Sequence, residues 1–168
     1  MNFEDVFHTH KDKVFSLCFR YLQQEQEAED AVQDIFVKVY EKQNSFREEA
    51  QMGTWIYRIS VNHCLDILKS KKRKKQLMQL VSFLPFVAET KSTGNETNKM
   101  ENKHAEQLLH QQLLQLPENQ LTALVLNKLE GIPIEKVAGI MNLSYKAVES
   151  LLQRAKQNLL KQMNASKE

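Results

Sequence analysis

Residues 54–75 place the strongest constraint on what this chain can fold into. At 3.6 residues per turn, the polar side chains recur every three or four positions and share one edge of a helix. The opposite side is a wide arc of Ile, Val, Leu and Tyr that other helices must cover. The spacing therefore predicts one long helix, packed on one side, with an exposed polar stripe: Arg58, Asn62, Asp66, Lys69 and Arg73.

The stripe becomes basic toward the end of this helix. Six of the seven residues at positions 69–75 are Lys or Arg. Like charges at this density repel one another, so a polyanion or bulk water must surround them. The formal net charge of the 168-residue chain is only +2. Composition alone therefore does not indicate a nucleic-acid partner, and the local clustering of bases carries that interpretation.

The composition favours an all-α, cytoplasmic protein. Only four glycines and three prolines interrupt the chain, and no long run alternates with period two. Cys18 and Cys64 lie in predicted helices without metal-type spacing, which indicates buried reduced thiols. No apolar secretion signal opens the sequence, and no segment approaches the roughly 18 apolar residues of a membrane span. We expect no membrane insertion.

Two helices are predicted before the central one. Apolar spacing indicates a first helix over residues 3–22 and a second over about 27–42. The second helix has an acidic outer side, and from the residues alone this side is either a solvated surface or a binding surface. It carries Asp30, Gln33, Asp34 and Val37.

The composition changes after residue 76. Residues 80–88 are apolar but broken by Pro85, and the following 15 residues, 89–103, are polar and poor in aromatics. A polar stretch of this kind cannot bury enough apolar surface to order itself. The sequence therefore predicts a domain at 1–76, a flexible linker at 77–105 and a second small helical domain at 106–168.

The second domain has the pattern of a helix-turn-helix. A helix over 108–116 stops near Pro117, and the next ends at Gly131, which accepts left-handed backbone angles. A short helix then leads to a turn at Asn142, and Ser144 is a good N-cap for the last helix. The second helix of such a motif enters the major groove through its N-terminal half. The candidate base-reading residues are Tyr145, Lys146, Glu149, Ser150, Gln153 and Arg154.

The last helix has few bases, so we expect its DNA affinity alone to be weak. The basic central helix could supply a second DNA contact, because its lysines can neutralise phosphates while its stripe offers groups that touch base edges. Phe46 and Trp55 could stack on an unpaired base, which is worth roughly 1–3 kcal/mol. Packing between helices is the alternative reading for Trp55, and the one we favour.

Catalysis has little support in the sequence. His8 and His10 point to different sides of a helix, and His63 has no carboxylate partner in register. No glycine-rich loop is present to hold a phosphate. We therefore expect neither an enzyme nor a site for a metal or a cofactor.

Three segments together resemble the sigma-70 type bacterial sigma factors, specifically the small two-domain extracytoplasmic-function (ECF) group. AEDAVQDIFVKVY (28–40) resembles the segment that binds the polymerase β′ clamp helices. SFREEAQMGTWIYRISVNHCLDILKSKKR (45–73) is similar to the segment that melts and reads the minus-10 promoter element. LPENQLTALVLNKLEGIPIEKVAGIMNLSYKAVESLLQRAKQNL (116–159) resembles the domain that reads the minus-35 element. The order and separation also match.

The resemblance implies a specificity subunit of RNA polymerase that recognises both promoter elements and promotes strand opening, while the polymerase core does the chemistry. The resemblance implies that the acidic side of the second helix contacts the β′ clamp helices and that the β flap is a second contact on the core enzyme. It also makes an inhibitory anti-sigma factor a possible partner. It makes loop 45–48 the pocket for a flipped base, through Ser45, Phe46, Arg47 and Glu48. The minus-10 surface becomes Arg58, Asn62, His63, Asp66, Lys69 and Arg73.

Two other readings stay open. One is a helix-turn-helix regulator that binds duplex DNA without polymerase, which leaves the acidic side of the second helix unexplained. The other is a helical interaction module whose DNA surfaces have decayed. It is suggested by Glu149 and Leu151, which stand where the family commonly has bases. A separate departure from the family is His63, which stands where an Arg is frequent.

Overall fold

The structure is a computed structural model that describes residues 2–46, 51–82 and 100–165, without the side chains of 80–82 and 100–105. Within these ranges every regular element is helical, which confirms the all-α prediction. A 3-10 turn, Gln43–Ser45, follows α2, and a π-helical turn, Val125–Leu129, continues α5. The helices are α1 Phe3–Leu22, α2 Glu25–Lys42, α3 Met52–Ser82, α4 Met100–Leu114, α5 Glu118–Leu124, α6 Ile134–Met141 and α7 Tyr145–Ala165.

The first three helices form one packed body. Leu17, Tyr21, Ile35 and Ile56 are fully buried between them, and aromatic rings of α1 and α2 meet edge to face, as expected for favourable ring packing. Cys18 and Cys64 are buried thiols outside any disulfide, and Cys64 Sγ donates to Cys18 Sγ at 3.7 Å. The prediction of buried reduced thiols is confirmed.

Capping and charge at the first turn set where α1 and α2 begin. Helix α1 covers the predicted residues, because Asn2 Oδ1 accepts a hydrogen bond from Glu4 N at 3.1 Å and caps its start. Helix α2 begins at Glu25, slightly before the predicted start, with Glu25 and Glu27 in its first turn. Carboxylates there stabilise the positive end of the helix dipole.

Helices reach into the predicted linker from both sides. Helix α3 continues to Ser82 and α4 begins at Met100, so residues 77–82 and 100–105 are helical instead of irregular. Gln, Leu, Met and Lys are strong helix formers, and a helix satisfies its own backbone without needing a core. Residues 83–99 lie outside the described part of the chain, so the flexible linker stays a prediction.

The C-terminal half contains the predicted helix-turn-helix. Helix α6 ends at Asn142, which has the left-handed φ of 54°, and Ser144 Oγ caps α7 by accepting from Ala147 N at 3.2 Å. Gly131 also has a positive φ, 68°, as the predicted stop of the preceding helix required. The π-helical turn was not predicted. In this turn Glu130 N donates to Val125 O, five residues earlier, at 2.9 Å. An α-helix would instead pair residues four apart.

Candidate nucleic-acid and protein interfaces

The acidic side of α2 is a continuous solvent-facing surface. Asp30, Gln33, Asp34 and Val37 are all exposed and recur at helical spacing, so the structure brings these four predicted residues together. Val37 is 57% exposed and lies among these polar side chains. Carboxylates around an exposed aliphatic side chain suit a partner that offers both basic and apolar groups.

His63 lies between this surface and α3. Its Nδ1 accepts from Lys38 Nζ at 2.7 Å, and its Nε2 lies 3.5 Å from Asp34 Oδ2. An accepting Nδ1 leaves the proton on Nε2, which then faces the carboxylate. Burial and the charge of Lys38 lower the pKa of His63, so the ring is neutral near pH 7. The His63 side chain is only 11% exposed. The His63 ring therefore contacts side chains of α2 from its place on α3, and little of it is accessible to a partner.

The predicted stripe on α3 forms, but parts of it contact the C-terminal half. All five of its residues are exposed. Arg58 nevertheless donates from Nη2 to Gly139 O at 2.7 Å and from Nε to Ile140 O at 3.1 Å. Lys69 Nζ lies 3.2 Å from Glu118 Oε2. Sequence reasoning placed these side chains correctly on one edge without finding what they touch.

The basic end of α3 is mostly solvent-facing. Lys72, Arg73, Lys74 and Lys75 are exposed, whereas Lys71 pairs with Glu27 of α2. Consecutive exposed Lys and Arg side chains at a helix end present positive charge to a phosphate backbone. The surface fits a polyanion in the way the sequence predicted.

The loop before α3 is described only in part. Ser45 Oγ donates to Lys42 O at 2.7 Å, and the Phe46 ring lies 5.1 Å from the ring of Trp55 in a tilted arrangement. Trp55 is also partly buried and packs against the helical core, in agreement with the favoured interpretation. The predicted residues Arg47 and Glu48 lie outside the described part of the chain.

The recognition surface of α7 is open. Five of its six predicted residues are exposed and the sixth, Ser150, is half-buried. Arg154 Nη2 donates to Ser150 Oγ at 2.8 Å, which holds the guanidinium along the helix. The negative charge of Glu149 raises the pKa of Tyr145, so the phenol keeps its proton as a donor. The exposed residues are Tyr145, Lys146, Glu149, Gln153 and Arg154.

A second feature of the C-terminal half is an apolar groove. It encloses about 870 Å³ between α5, α6 and α7. Its lining combines apolar side chains of Leu124, Ile134, Leu152, Leu159 and Leu160 with Lys128, Glu149, Gln153 and Lys156. A groove of this kind can receive the apolar side of a partner helix.

The two halves also contact each other through residues that sequence reasoning missed. The Glu130 carboxylate accepts from Ser16 Oγ at 2.8 Å and from Arg20 Nε at 3.2 Å. The buried Tyr21 hydroxyl donates to Thr122 Oγ1 at 3.2 Å. These partners are about a hundred residues apart in the chain, and no local pattern signals such a pairing.

A small cavity lies within this contact. It encloses about 270 Å³ and is lined from α3 by Arg58 and Asn62, and from the C-terminal half by Asn119, Thr122 and Asn142 among others. Two predicted minus-10 residues therefore face the other half of the molecule across a shared space.

Two family models match the chain in succession. Residues 6–74 match sigma-70 region 2, and residues 106–159 match sigma-70 region 4. The two regions, in this order, cover most of the sequence, so the chain belongs to the sigma-70 family. Within that family it belongs to the ECF group, as its relatives show.

The relatives match this chain over part of their length. The ECF RNA polymerase sigma factor SigW of Bacillus subtilis is 39% identical over 70 residues, which are 42% of this chain and 37% of SigW. RNA polymerase sigma-H factor of Pseudomonas aeruginosa is 28% identical over 112 residues, 64% of this chain and 58% of that protein. The ECF sigma factor SigM of Mycobacterium tuberculosis is 33% identical over 42% of this chain and 36% of its own. The chain thus spans well under two thirds of each of these relatives.

Solved structures share the fold. CnrH, in complex with the cytosolic domain of CnrY, superposes with a TM-score of 0.68 at 20% identity, covering 97% of this chain and 88% of that one. The sigma factor RpoE, in complex with the anti-sigma factor NepR from Bartonella quintana, superposes with a TM-score of 0.65 at 21% identity, covering 97% of both chains. At these identities the likeness establishes the helical architecture.

Residues 2–46, 51–82 and 100–165 contain neither a membrane-spanning helix nor a cluster of metal ligands. No helix in those ranges is long and apolar enough to cross a membrane. Within the same ranges, no three His, Cys, Asp or Glu side chains are grouped to hold a metal ion.

Proposed function

We propose that this protein directs RNA polymerase to promoters by binding the core enzyme, reading the minus-10 and minus-35 elements and favouring strand opening. The observation that carries the proposal is the presence of sigma-70 regions 2 and 4 in one chain, in the family's order. The chain makes and breaks no covalent bonds in this proposal, because the core enzyme polymerises RNA. Residues 1–76, 77–105 and 106–168 are the proposed core-binding domain, linker and minus-35 domain.

The outer side of α2 is the proposed contact to the β′ clamp helices. Its support is the exposed set of Asp30, Gln33, Asp34 and Val37, which combines acidic, amide and aliphatic groups on one solvent face. The proposed contact to the β flap is the apolar groove of the C-terminal half, because its lining includes Leu and Ile side chains and is accessible and unfilled by this chain's described residues. The two contacts would hold the domains at separate places on the polymerase.

The promoter contacts are proposed to divide between α3 and α7. The stripe of α3, with His63 and the loop residues 45–48, is assigned to the minus-10 element, and the open surface of α7 to the minus-35 element. Opening a duplex loses stacking of about 1.4 kcal/mol per step. A protein that captures extruded bases offsets this cost and shifts DNA toward the open state.

A run-off transcription assay with core polymerase tests the proposal. Asn62→Ala is expected to lower initiation at least about tenfold while core binding persists, because the amide can make base-edge hydrogen bonds. Asp34→Ala is expected to reduce co-elution with core polymerase on a sizing column by a similar factor. Gln111→Ala and Asp12→Ala are matched controls that remove an exposed amide from α4 and an exposed carboxylate from α1.

The outcomes separate the competing readings. Binding of duplex promoter DNA with no requirement for polymerase would favour a stand-alone regulator. Unchanged transcription by both site variants would remove the residue assignments, and failure of the wild-type protein to bind core polymerase would end the proposal.

An inhibitory anti-sigma factor is a further proposed partner. Its support is indirect: RpoE superposes on this chain in a complex with its anti-sigma factor NepR, and the apolar groove of the C-terminal half is accessible. Affinity purification of the chain from its native cells, followed by mass spectrometry, tests this. Addition of a captured partner should abolish run-off transcription, and a captured protein that leaves transcription unchanged is not the inhibitor.

A further inference from the structure

We propose that His63 is a positioning residue for core binding: its ring holds the Lys38 ammonium away from Asp34, so that the Asp34 carboxylate stays free for a basic group of the polymerase. The inference deepens the proposed function and rests on it for the identity of the partner. Its basis is the contact of Lys38, His63 and Asp34 between α2 and α3, which we call the His63 bridge. In this role His63 acts through Asp34 and needs no contact with the polymerase.

The ring of His63 reaches from α3 to two charged side chains of α2. Lys38 Nζ lies 2.7 Å from His63 Nδ1, and Asp34 Oδ2 lies 3.5 Å from His63 Nε2. The His63 side chain is 11% exposed, whereas that of Asp34 is 67% exposed. A ring this enclosed offers little surface to a partner, so its effect on binding passes through the side chains that it contacts.

The chemistry of the three groups fixes the direction of the His63 bridge. An ammonium only donates hydrogen bonds and an ionised carboxylate only accepts them, so the ring between them must accept at one nitrogen and donate at the other. Neutral histidine with its proton on Nε2 does both. The groups that face the ring agree with this state, because burial and Lys38 lower the pKa of His63 more than Asp34 and Asp66 raise it.

Without the ring, Lys38 has another partner on its own helix. Asp34 and Lys38 are four residues apart on α2, the spacing at which an acid and a base on a helix form an ion pair. Among the described residues no ion pair joins these two, and Lys38 Nζ is directed to His63 instead. An internal pair would have to break before a basic group of the polymerase could bind the carboxylate. His63 therefore removes a competitor for Asp34.

The contact between His63 and Asp34 is loose enough to be exchanged. At 3.5 Å it is longer than an ordinary N–H···O hydrogen bond, and His63 Nε2 is a buried nitrogen without a hydrogen-bond partner in the described structure. A cation of the partner can therefore draw the carboxylate outward while the shorter bond from Lys38 to the ring persists. The His63 bridge thus restrains Lys38 firmly and Asp34 only weakly, as an available binding carboxylate requires.

A displacement assay without DNA tests this role. Labelled wild-type protein is bound to purified core RNA polymerase, and each unlabelled full-length variant competes with it. His63→Ala should weaken core binding about three- to fivefold, since Lys38 can then pair with Asp34. Adding Lys38→Met to His63→Ala should restore binding to within about twofold of the wild type, because it removes the competing cation. Lys38→Met alone should also stay within about twofold.

Two controls separate this role from packing of α2 on α3. Glu27→Ala removes a different contact between the two helices, the ion pair with Lys71, and should leave core binding within about twofold of the wild type. In an Asp34→Ala background, His63→Ala should have little further effect, since the carboxylate that the ring keeps free is absent. Thermal melting followed by circular dichroism confirms that each variant is folded.

The other results of the displacement assay each overturn the role. Unchanged core binding by His63→Ala would show that the ring does not act on Asp34, and a fall in run-off transcription by the same variant would then make His63 a promoter contact alone. A loss that Lys38→Met does not restore would assign the ring to packing. Failure of the wild-type protein to bind core polymerase would refute the proposed function and the role that rests on it.

The His63 bridge itself is measured without polymerase, in the free full-length protein. A long-range nitrogen–proton NMR spectrum should place the ring proton of His63 on Nε2, and Lys38→Met should move the Nδ1 resonance, because it removes the donor to that nitrogen. A proton on Nδ1, or an Nδ1 resonance that Lys38→Met leaves in place, would overturn the inference even in a protein that binds core polymerase.

Discussion

The two surfaces proposed to read DNA differ in what surrounds them. The stripe on α3 is partly covered, since Arg58 and Lys69 hold groups of the C-terminal half. On α7 the candidates Lys146, Glu149 and Gln153 are exposed. On the proposed assignments, the minus-35 surface of α7 is open in this arrangement, whereas the minus-10 surface of α3 is partly covered by the C-terminal half.

The difference in coverage between the α3 stripe and the α7 surface follows from the charges that each side chain meets. Basic side chains on α3 find acceptors in the C-terminal half, where a helix end and Glu118 are negative. The reading side of α7 mixes Lys146 with Glu149, and its Arg154 is satisfied by Ser150 of the same helix. A surface with mixed charges and internal partners has less attraction for another part of the chain.

The largest expected effect concerns the core beneath the covered surface. Ile56 is 1% exposed, and Ile56→Ala should lower the free energy of unfolding by about 2–5 kcal/mol, because it removes buried carbon and leaves a cavity. Leu77, also on α3, is 62% exposed. Leu77→Ala should therefore change the free energy of unfolding by less than about 0.5 kcal/mol. Chemical denaturation followed by circular dichroism measures both. Equal effects would mean that α3 does not pack on α1 and α2 as described.

A second prediction sets the open surface against the covered one. For the free protein on duplex DNA, Lys146→Ala should weaken binding about tenfold and reduce the slope of log affinity against log salt by about one. Asn62→Ala should leave this binding unchanged and show its effect only in the polymerase complex. Fluorescence anisotropy over a salt series measures both. An Asn62→Ala loss in the free protein would show that the covered surface is already available.

The third prediction addresses the buried hydrogen bond between the halves. Tyr21→Phe and Thr122→Val each remove one member of the pair that lies 3.2 Å apart. Each should destabilise the protein by about 1 kcal/mol, and the double variant should cost less than the sum, because neither partner is then left unsatisfied. Denaturation of the four proteins in a mutant cycle measures the coupling. Strict additivity would place the two hydroxyls out of contact.

Local signals explain how much of this architecture could be predicted from the sequence. The turn at Asn142 and the cap at Ser144 depend on neighbouring residues, and both form as predicted. The spacing of Arg58 and Asn62 likewise fixed the edge of α3 they share. The π-helical turn at Val125–Leu129 has no comparable signature in the sequence.

The contacts between the halves were beyond sequence reasoning for a different reason. Arg58 meets Gly139 and Ile140 across more than 80 residues of chain, and Glu130 meets Ser16 across 114. Periodicity identifies which side of a helix is polar, but it does not identify the partner of a polar group. His63 shows the same limit, since its contact with Lys38 depends on the packing of α2 against α3.

The smallest expected effect is a dependence of the covered arrangement on pH. His110 Nε2 lies 3.1 Å from Tyr21 O, between the halves. Burial lowers the pKa of His110, the bond to Tyr21 O partly opposes this, and Lys71 adds to the lowering. The unfolded chain, with a pKa near 6.5, therefore binds this proton more readily than the folded one. Stability contributed by neutral His110 is present above about pH 6.5 and declines as the pH falls toward the folded pKa.

His110→Gln should accordingly reduce the fall in melting temperature between about pH 7.5 and about pH 5.5. His10 and His63, whose pKa values are also lowered, keep part of the wild-type decline in that variant. His8→Gln removes an exposed ring on α1, away from the contacts between the two halves, and should reproduce the wild-type profile. If the two substitutions change the profile equally, His110 is solvated in the folded protein, and the halves are already apart where it should be enclosed.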